Sequence, residues 1–143
     1  MIAPRIKRLT AAFSIILFTA SLFLKAYAGE THRTDMYGYM AALYGPIALY
    51  YNKFAIIAWL ANFTFIITIV TNLLNRAYLT GVLLGIVSFA FSVCCLFVTK
   101  LLIDEGGREE PASASTGAYI WIFSMFVMLA ASLIPVKRKQ ANG

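Results

Sequence analysis

Long apolar runs separated by short polar stretches dominate the pattern along this chain. Four of them are long enough to cross a hydrocarbon core of about 30 Å as helices: Leu9 to Ala28, Phe54 to Leu74, Ala77 to about Ile103, and Ala118 to Val136. The first carries one charge, Lys25, near enough to its end to snorkel to the interface. None shows the period-two alternation of a membrane barrel, and backbone groups in lipid must be bonded within their own segment, so helices are expected. The pattern predicts an all-α, polytopic membrane protein. Its single domain, residues 1–143, is a bundle of four transmembrane helices with an interfacial segment on the outer side.

That segment spans about residues 36–52 and reads MYGYMAALYGPIALYYN, too apolar for a solvated loop. Tyr37, Tyr39, Tyr44, Tyr50 and Tyr51 are of the type that sits at headgroup depth, and Gly45-Pro46 is expected to break any helix in the middle. The segment reads as an aromatic anchor on the outer face, or alternatively as a lid over a substrate or partner. Tyr119 and Trp121, at the start of the fourth run, fit the same outer interface.

Helical spacing groups two further sets of residues. Small residues recur at Gly81, Gly85, Ser88, Ser92, Cys95 and Thr99, a period near 3.5 that points to a left-handed packing seam. Gly81 and Gly85 form a G-x-x-x-G pair that admits a second backbone, from this chain or from another copy. In the second run Thr64, Thr68, Thr71, Asn72 and Asn75 stack along one face. Such hydroxyls and amides are expected to bond to neighbouring helices; a hydrophilic path through an oligomer is the alternative.

Composition agrees with a membrane protein: 61% of residues are hydrophobic and 13% charged, against roughly 25% charged in a soluble domain. The net charge of +6 is unevenly placed. Arg5, Lys7 and Arg8 precede the first run, Arg76 lies between the second and third, and Lys137, Arg138 and Lys139 follow the fourth. All six acids, Glu30, Asp35, Asp104, Glu105, Glu109 and Glu110, fall on the other side. Both termini are therefore expected in the cytoplasm, and the positive charge is a topology signal rather than a nucleic-acid footprint. The start of the chain also has the form of a signal peptide, with Ala26-Tyr27-Ala28 as an A-x-A site before Gly29; cleavage there would leave three spans.

Candidate chemistry is sparse. Cys94 and Cys95 are adjacent, point about 100° apart on a helix, and have no second pair to relay electrons, so they read as small apolar residues. His32, with Glu30, Arg33 and Asp35, lacks the ligand number and spacing of a metal site. The stretch IDEGGREEPASASTG is expected to be a flexible crossing, with Lys100 and Asp104 one turn apart and able to pair. No Asp or Glu lies inside a run, which removes the usual basis of a proton-coupled exporter. Neither paired C-x-x-C motifs nor a Ser/His/Asp set is present. No enzyme, cofactor or metal is expected.

The order of an apolar G-P segment, W-L-A-N (Trp59 to Asn62), a glycine-containing third span, an acidic G-G loop and G-x-Y-x-W-x-x-S (Gly117 to Ser124) resembles a group of small four-span bacterial inner-membrane proteins. The resemblance covers about residues 37 to 132 and implies topology and an inner-membrane location, not an activity. Two functions are expected. The first is a non-catalytic accessory or immunity-like protein that meets a distinct partner within the membrane, through the small-residue face of the third run beside the polar face of the second. The alternative is an oligomeric channel or carrier for a small neutral or cationic solute.

Overall fold

The computed structural model describes residues 3–30, 35–48, 52–74, 78–102 and 108–135. Five helices carry it: α1 (Ala3–Leu22), α2 (Gly38–Ala48), α3 (Lys53–Leu74), α4 (Tyr78–Val93) and α5 (Thr116–Leu133). One 3-10 turn, Cys94–Phe97, extends α4. Three stretches, Lys53–Leu74, Tyr78–Phe97 and Thr116–Leu133, are long and apolar enough to cross a membrane.

The side chains are distributed as lipid requires and as water would not. Large apolar residues point outward, among them Phe63, Ile66 and Leu73 on α3, Leu79, Leu83 and Ile86 on α4, and Phe123, Phe126 and Leu133 on α5. The interior is rich in small and polar residues, with Lys7, Ser14, Ser21, Thr68, Asn72, Ser88, Ser92, Ser124 and Ser132 buried alongside the larger Phe65, Met125 and Met128. Where the surroundings are as apolar as leucine, helices gain little by burying leucine, so close packing and hydrogen bonds set the interior.

The fold is not all-α. Strands β1 (Lys25–Gly29), β2 (Met36–Tyr37), β3 (Lys100–Leu102) and β4 (Glu109–Ala114) form one antiparallel sheet in the order β2-β1-β4-β3. β1 and β2 follow α1, and β3 and β4 follow α4, so the sheet joins the two connections that lie at one end of the bundle. Its central pair sets Tyr27 opposite Ala114 and Gly29 opposite Ala112. The Ser115 N–H then donates to the Ala26 carbonyl at 2.8 Å and carries this stitch into the first turn of α5.

Several expected boundaries move as a result. The first apolar run leaves the helix after Leu22, and its last residues become β1 instead of membrane-spanning helix. The third run tightens into the 3-10 turn and then extends, with Val98 at φ −81° and ψ 101°. Of the expected flexible crossing, residues 103–107 lie outside the described residues, and Glu109–Ala114 is strand β4, whose residues alternate in burial, Glu109, Pro111 and Ser113 exposed and Glu110, Ala112 and Ala114 partly buried. Alanine and serine differ too little in hydropathy for that alternation to show in the sequence. Lys100 pairs with Glu109 across β3 and β4 at 3.0 Å; its expected partner, Asp104, lies outside the described residues, as does His32.

α2 also departs from expectation, running through Gly45-Pro46 without a break. A proline in a helix leaves the carbonyl four residues earlier without its donor, and here that carbonyl belongs to Ala42. Trp59 Nε1 of α3 donates to it at 2.9 Å. Gly45 faces the same indole so closely that any Cβ would collide with the ring. The helix continues because a neighbouring side chain replaces the bond that proline removes.

Two apolar clusters stack along the bundle. Under the sheet, Ala26, Tyr27, Ala58, Cys95, Val98 and Ala118 pack together; further down, Ala11, Phe65, Met125, Met128 and Ala131 do so. Trp121 packs against both.

Candidate functional site

The small-residue stripe of the third run faces the chain's own helices. Gly81 lies against Thr71 and Asn72 of α3, and Gly85 against the Leu129 backbone and Ser132 of α5. The Ser88 hydroxyl, 1% exposed, is 3.1 Å from both the Ala61 carbonyl of α3 and Met125 Sδ of α5. Ser92 and Cys95 are buried on the same line. Thr99 leaves it: the 3-10 turn and extended Val98 rotate the backbone, so that Val98 is buried and Thr99 exposed.

The polar stripe of α3 divides by side-chain type. The threonine hydroxyls bond back to their own helix rather than across: Thr64 to the Ala61 carbonyl at 3.0 Å, Thr68 to that of Thr64 at 2.6 Å, and Thr71 to that of Thr68 at 2.9 Å. A threonine hydroxyl reaches the preceding turn more easily than a neighbouring helix. The longer Asn72 amide crosses to α5, where Nδ2 donates to Ser132 Oγ at 2.7 Å. Asn75 lies outside the described residues. α1 joins α5 through Ser14, whose hydroxyl donates to the Ser124 carbonyl at 2.7 Å.

Of the aromatic residues assigned to the interface, Tyr37, Tyr39, Tyr44 and Tyr119 are exposed, and Tyr50 and Tyr51 lie outside the described residues. Trp121 differs. It turns inward, and its Nε1 donates to Asn62 Oδ1 at 3.1 Å. This bond connects the W-L-A-N stretch to the G-x-Y-x-W-x-x-S stretch, so two short motifs distant in sequence meet at one place.

They meet at a cavity. A partly open space of about 100 Å3 lies between β1, α2, the adjoining end of α3 and the start of α5. Ala26, Ala41, Ala55 and Ala58 keep it open with short side chains, and Trp59, Trp121 and Tyr27 contribute aromatic walls. Most polar wall atoms are already engaged: Trp59 Nε1 on the Ala42 carbonyl, the Tyr27 hydroxyl on the Cys95 carbonyl at 3.2 Å. Burial pushes the Tyr27 hydroxyl well above its ordinary range, and the neighbouring Cys95 acts in the same direction. Nearby in β1, Lys25 pairs with Asp35 at 2.5 Å, and that hydrogen bond and charge raise the Lys25 ammonium.

The backbone around this space is equally close. A Cβ on Gly117 would stand 2.6 Å from the Lys25 carbonyl oxygen, so β1 lies directly on the first turn of α5. None of this was legible as a site in the sequence. The available signal was that both tryptophans and Asn62 fall near the same ends of their spans.

The chain matches no family model, no curated protein and no solved structure.

Proposed function

We propose that the chain is a four-span protein of a bacterial inner membrane, with both termini in the cytoplasm and α1 as the additional span. α1 has 20 residues, about 30 Å of helix, and presents Leu9, Phe13 and Ile16 outward, Leu9 at 70% exposure. Its first turns carry Arg5, Lys7 and Arg8, which favours a cytoplasmic start and puts the sheet on the outer side.

Its function is non-catalytic: an accessory or immunity-like protein that meets its partner at the outer, sheet-capped end. The observation that carries this is the use of the seam. Gly81, Gly85 and Ser88 are covered by α3 and α5 of the same chain, which leaves the intramembrane stripe nothing to offer a partner. The exposed face of β4 and the tyrosines beside the cavity remain available. The carrier alternative loses its motive in the same way, since Thr68 is 0% exposed and its hydroxyl is bonded within α3.

The experiment places a photo-crosslinking residue at Ser113 on the exposed face of β4, or at Leu83 on the outside of α4, in native membranes. A distinct protein trapped from Ser113 and not from Leu83 is the expected result. Self-crosslinks alone, or a partner trapped only from Leu83, would overturn the proposal. A membrane-impermeant thiol reagent reacting with Ser113→Cys in intact cells, and not with a cysteine at position 5, checks the orientation.

A further inference from the structure

We infer that the cavity under the sheet is a binding site for an uncharged, membrane-soluble molecule that presents a carbonyl oxygen to the Asn62 amide. The inference rests on the proposed placement of the sheet at the outer membrane surface, which sets the cavity where such a molecule arrives from the lipid.

The amide orientation follows from chemistry. Indole N–H is a donor only, so the atom of Asn62 facing Trp121 Nε1 at 3.1 Å is the acceptor Oδ1. Nδ2 is then the remaining end, and among the described residues no acceptor takes a hydrogen bond from it. Asn62 is on the cavity wall. Nδ2 is not among the fully buried, unbonded side-chain atoms of the described residues, so it is open to whatever fills the cavity, and in apolar surroundings an acceptor on an occupant supplies the hydrogen bond that no protein group gives it. With Trp59 Nε1 and the Tyr27 hydroxyl already donating elsewhere, Asn62 Nδ2 is the free amide donor on the wall, beside the hydroxyl of the exposed Tyr44, and among the described residues no charged side chain lines the space.

Size and lining narrow the class further. A water needs only about 10–15 Å3, and an apolar cavity of about 150 Å3 takes a benzene ring, so 100 Å3 suits a short apolar group or a ring seated partly in the mouth. Aromatic walls from Trp59, Trp121 and Tyr27 favour a flat or flexible apolar body over a branched polar one. Carbonyl-bearing molecules with these properties reach a membrane protein from two sources: the acyl ester region of a lipid, and the ring of a lipid-soluble quinone.

The chain's two tryptophans both line the cavity, so intrinsic fluorescence reports its occupancy. Full-length protein in phosphatidylcholine vesicles is titrated with a decyl benzoquinone in one arm and a dibrominated fatty acid methyl ester in the other. Saturable quenching in one arm is expected, and the arm that saturates identifies the source. Asn62→Asp at pH 8 keeps an acceptor for Trp121 and lacks the donor, so at least a tenfold weaker half-saturation is expected. Ala58→Leu fills the space and should abolish saturation, with Ala41→Leu as a second filling variant should the first fail to fold by circular dichroism. Linear quenching in both arms, equal in wild type and variants, overturns the inference. Ser113 crosslinking is read separately: a trapped partner with linear quenching refutes the ligand alone, and saturable quenching without a trapped partner refutes the partner alone.

Discussion

The indole of Trp59 donates to the carbonyl of Ala42 across 2.9 Å, from one helix to the backbone of another. That carbonyl stands four residues before Pro46, whose nitrogen has no hydrogen to offer it. Gly45 supplies the second half of the arrangement by letting the ring lie against the helix. Gly45 and the Ala42 carbonyl therefore receive one side chain, which holds α2 against α3 beside the cavity.

A double-mutant cycle tests this coupling. Trp59→Phe keeps the aromatic ring and removes the donor, and should lower stability in detergent by about 1 kcal/mol. In a Pro46→Ala background the helix supplies its own N–H to Ala42, so the same change should cost at most a few tenths of a kcal/mol. Equal losses in both backgrounds, measured by thermal unfolding, would show that Trp59 acts through packing alone.

Glycine substitutions should rank by what surrounds each position rather than by motif. Gly81 sits in ordinary contact, with the nearest atom 3.4 Å from a Cβ position. Gly81→Ala should therefore be neutral or slightly stabilising, given the roughly 1 kcal/mol helix preference for alanine. At Gly117 a Cβ would meet the Lys25 and Leu24 carbonyl oxygens at 2.6 and 2.8 Å, and backbone pinned by a sheet cannot yield. Gly117→Ala should cost about 1–3 kcal/mol, as overpacking does. A melting series in which Gly81→Ala proved the more damaging would contradict the packing described here.

The difference between those two glycines shows how much of the molecule its sequence reveals. Gly81 announces itself, because helix packing repeats every three or four residues and a periodic stripe is visible in one chain. The lengths of α3 and α5 are visible for a similar reason: lipid thickness dictates an apolar run. Gly117 has no such signature, since its neighbour is the start of a strand more than ninety positions earlier in the chain that pairs only after folding. The sheet was hidden because Lys25–Gly29 continues an apolar run and Glu109–Ala114 alternates between residues of similar hydropathy. Trp121 was half legible: an aromatic at a span's end is visible, but its inward turn depends on Asn62 in another helix.

The polar stripe of α3 should respond to mutation as a packing surface. Thr68→Val replaces a hydroxyl already bonded to the Thr64 carbonyl, and that carbonyl retains its backbone donor, so stability should change by less than about 0.5 kcal/mol. Asn72→Leu removes the bond to Ser132 of α5 and should cost about 0.6–1.7 kcal/mol, the range found for hydrogen bonds between membrane helices. Unfolding in mixed micelles measures both. A greater loss for Thr68→Val would mean that its hydroxyl does something this packing does not explain.

Alkaline pH should loosen the sheet end, and the sign follows from two groups. Burial first, then the neighbouring Cys95, raises the Tyr27 hydroxyl above its ordinary 10.0; the Asp35 carboxylate raises the Lys25 ammonium above its ordinary 10.5. A group whose pKa is higher in the folded state holds its proton more tightly there, so the stability it contributes is complete below the unfolded value and declines as pH rises beyond it. Stability should thus be unaffected by these groups up to about pH 10 and fall above it. Tyr27 should account for most of the slope, because Lys25 is exposed and its pair with Asp35 is screened by solvent. Tyr27→Phe should cost about 1 kcal/mol at pH 7 through the lost bond to the Cys95 carbonyl, yet flatten the decline above pH 10. Tyrosinate absorbance gives the independent check: one of the eight tyrosines should ionise only with unfolding in the wild type, and none should do so in Tyr27→Phe. An unchanged alkaline slope in that variant would place the sensitive group elsewhere.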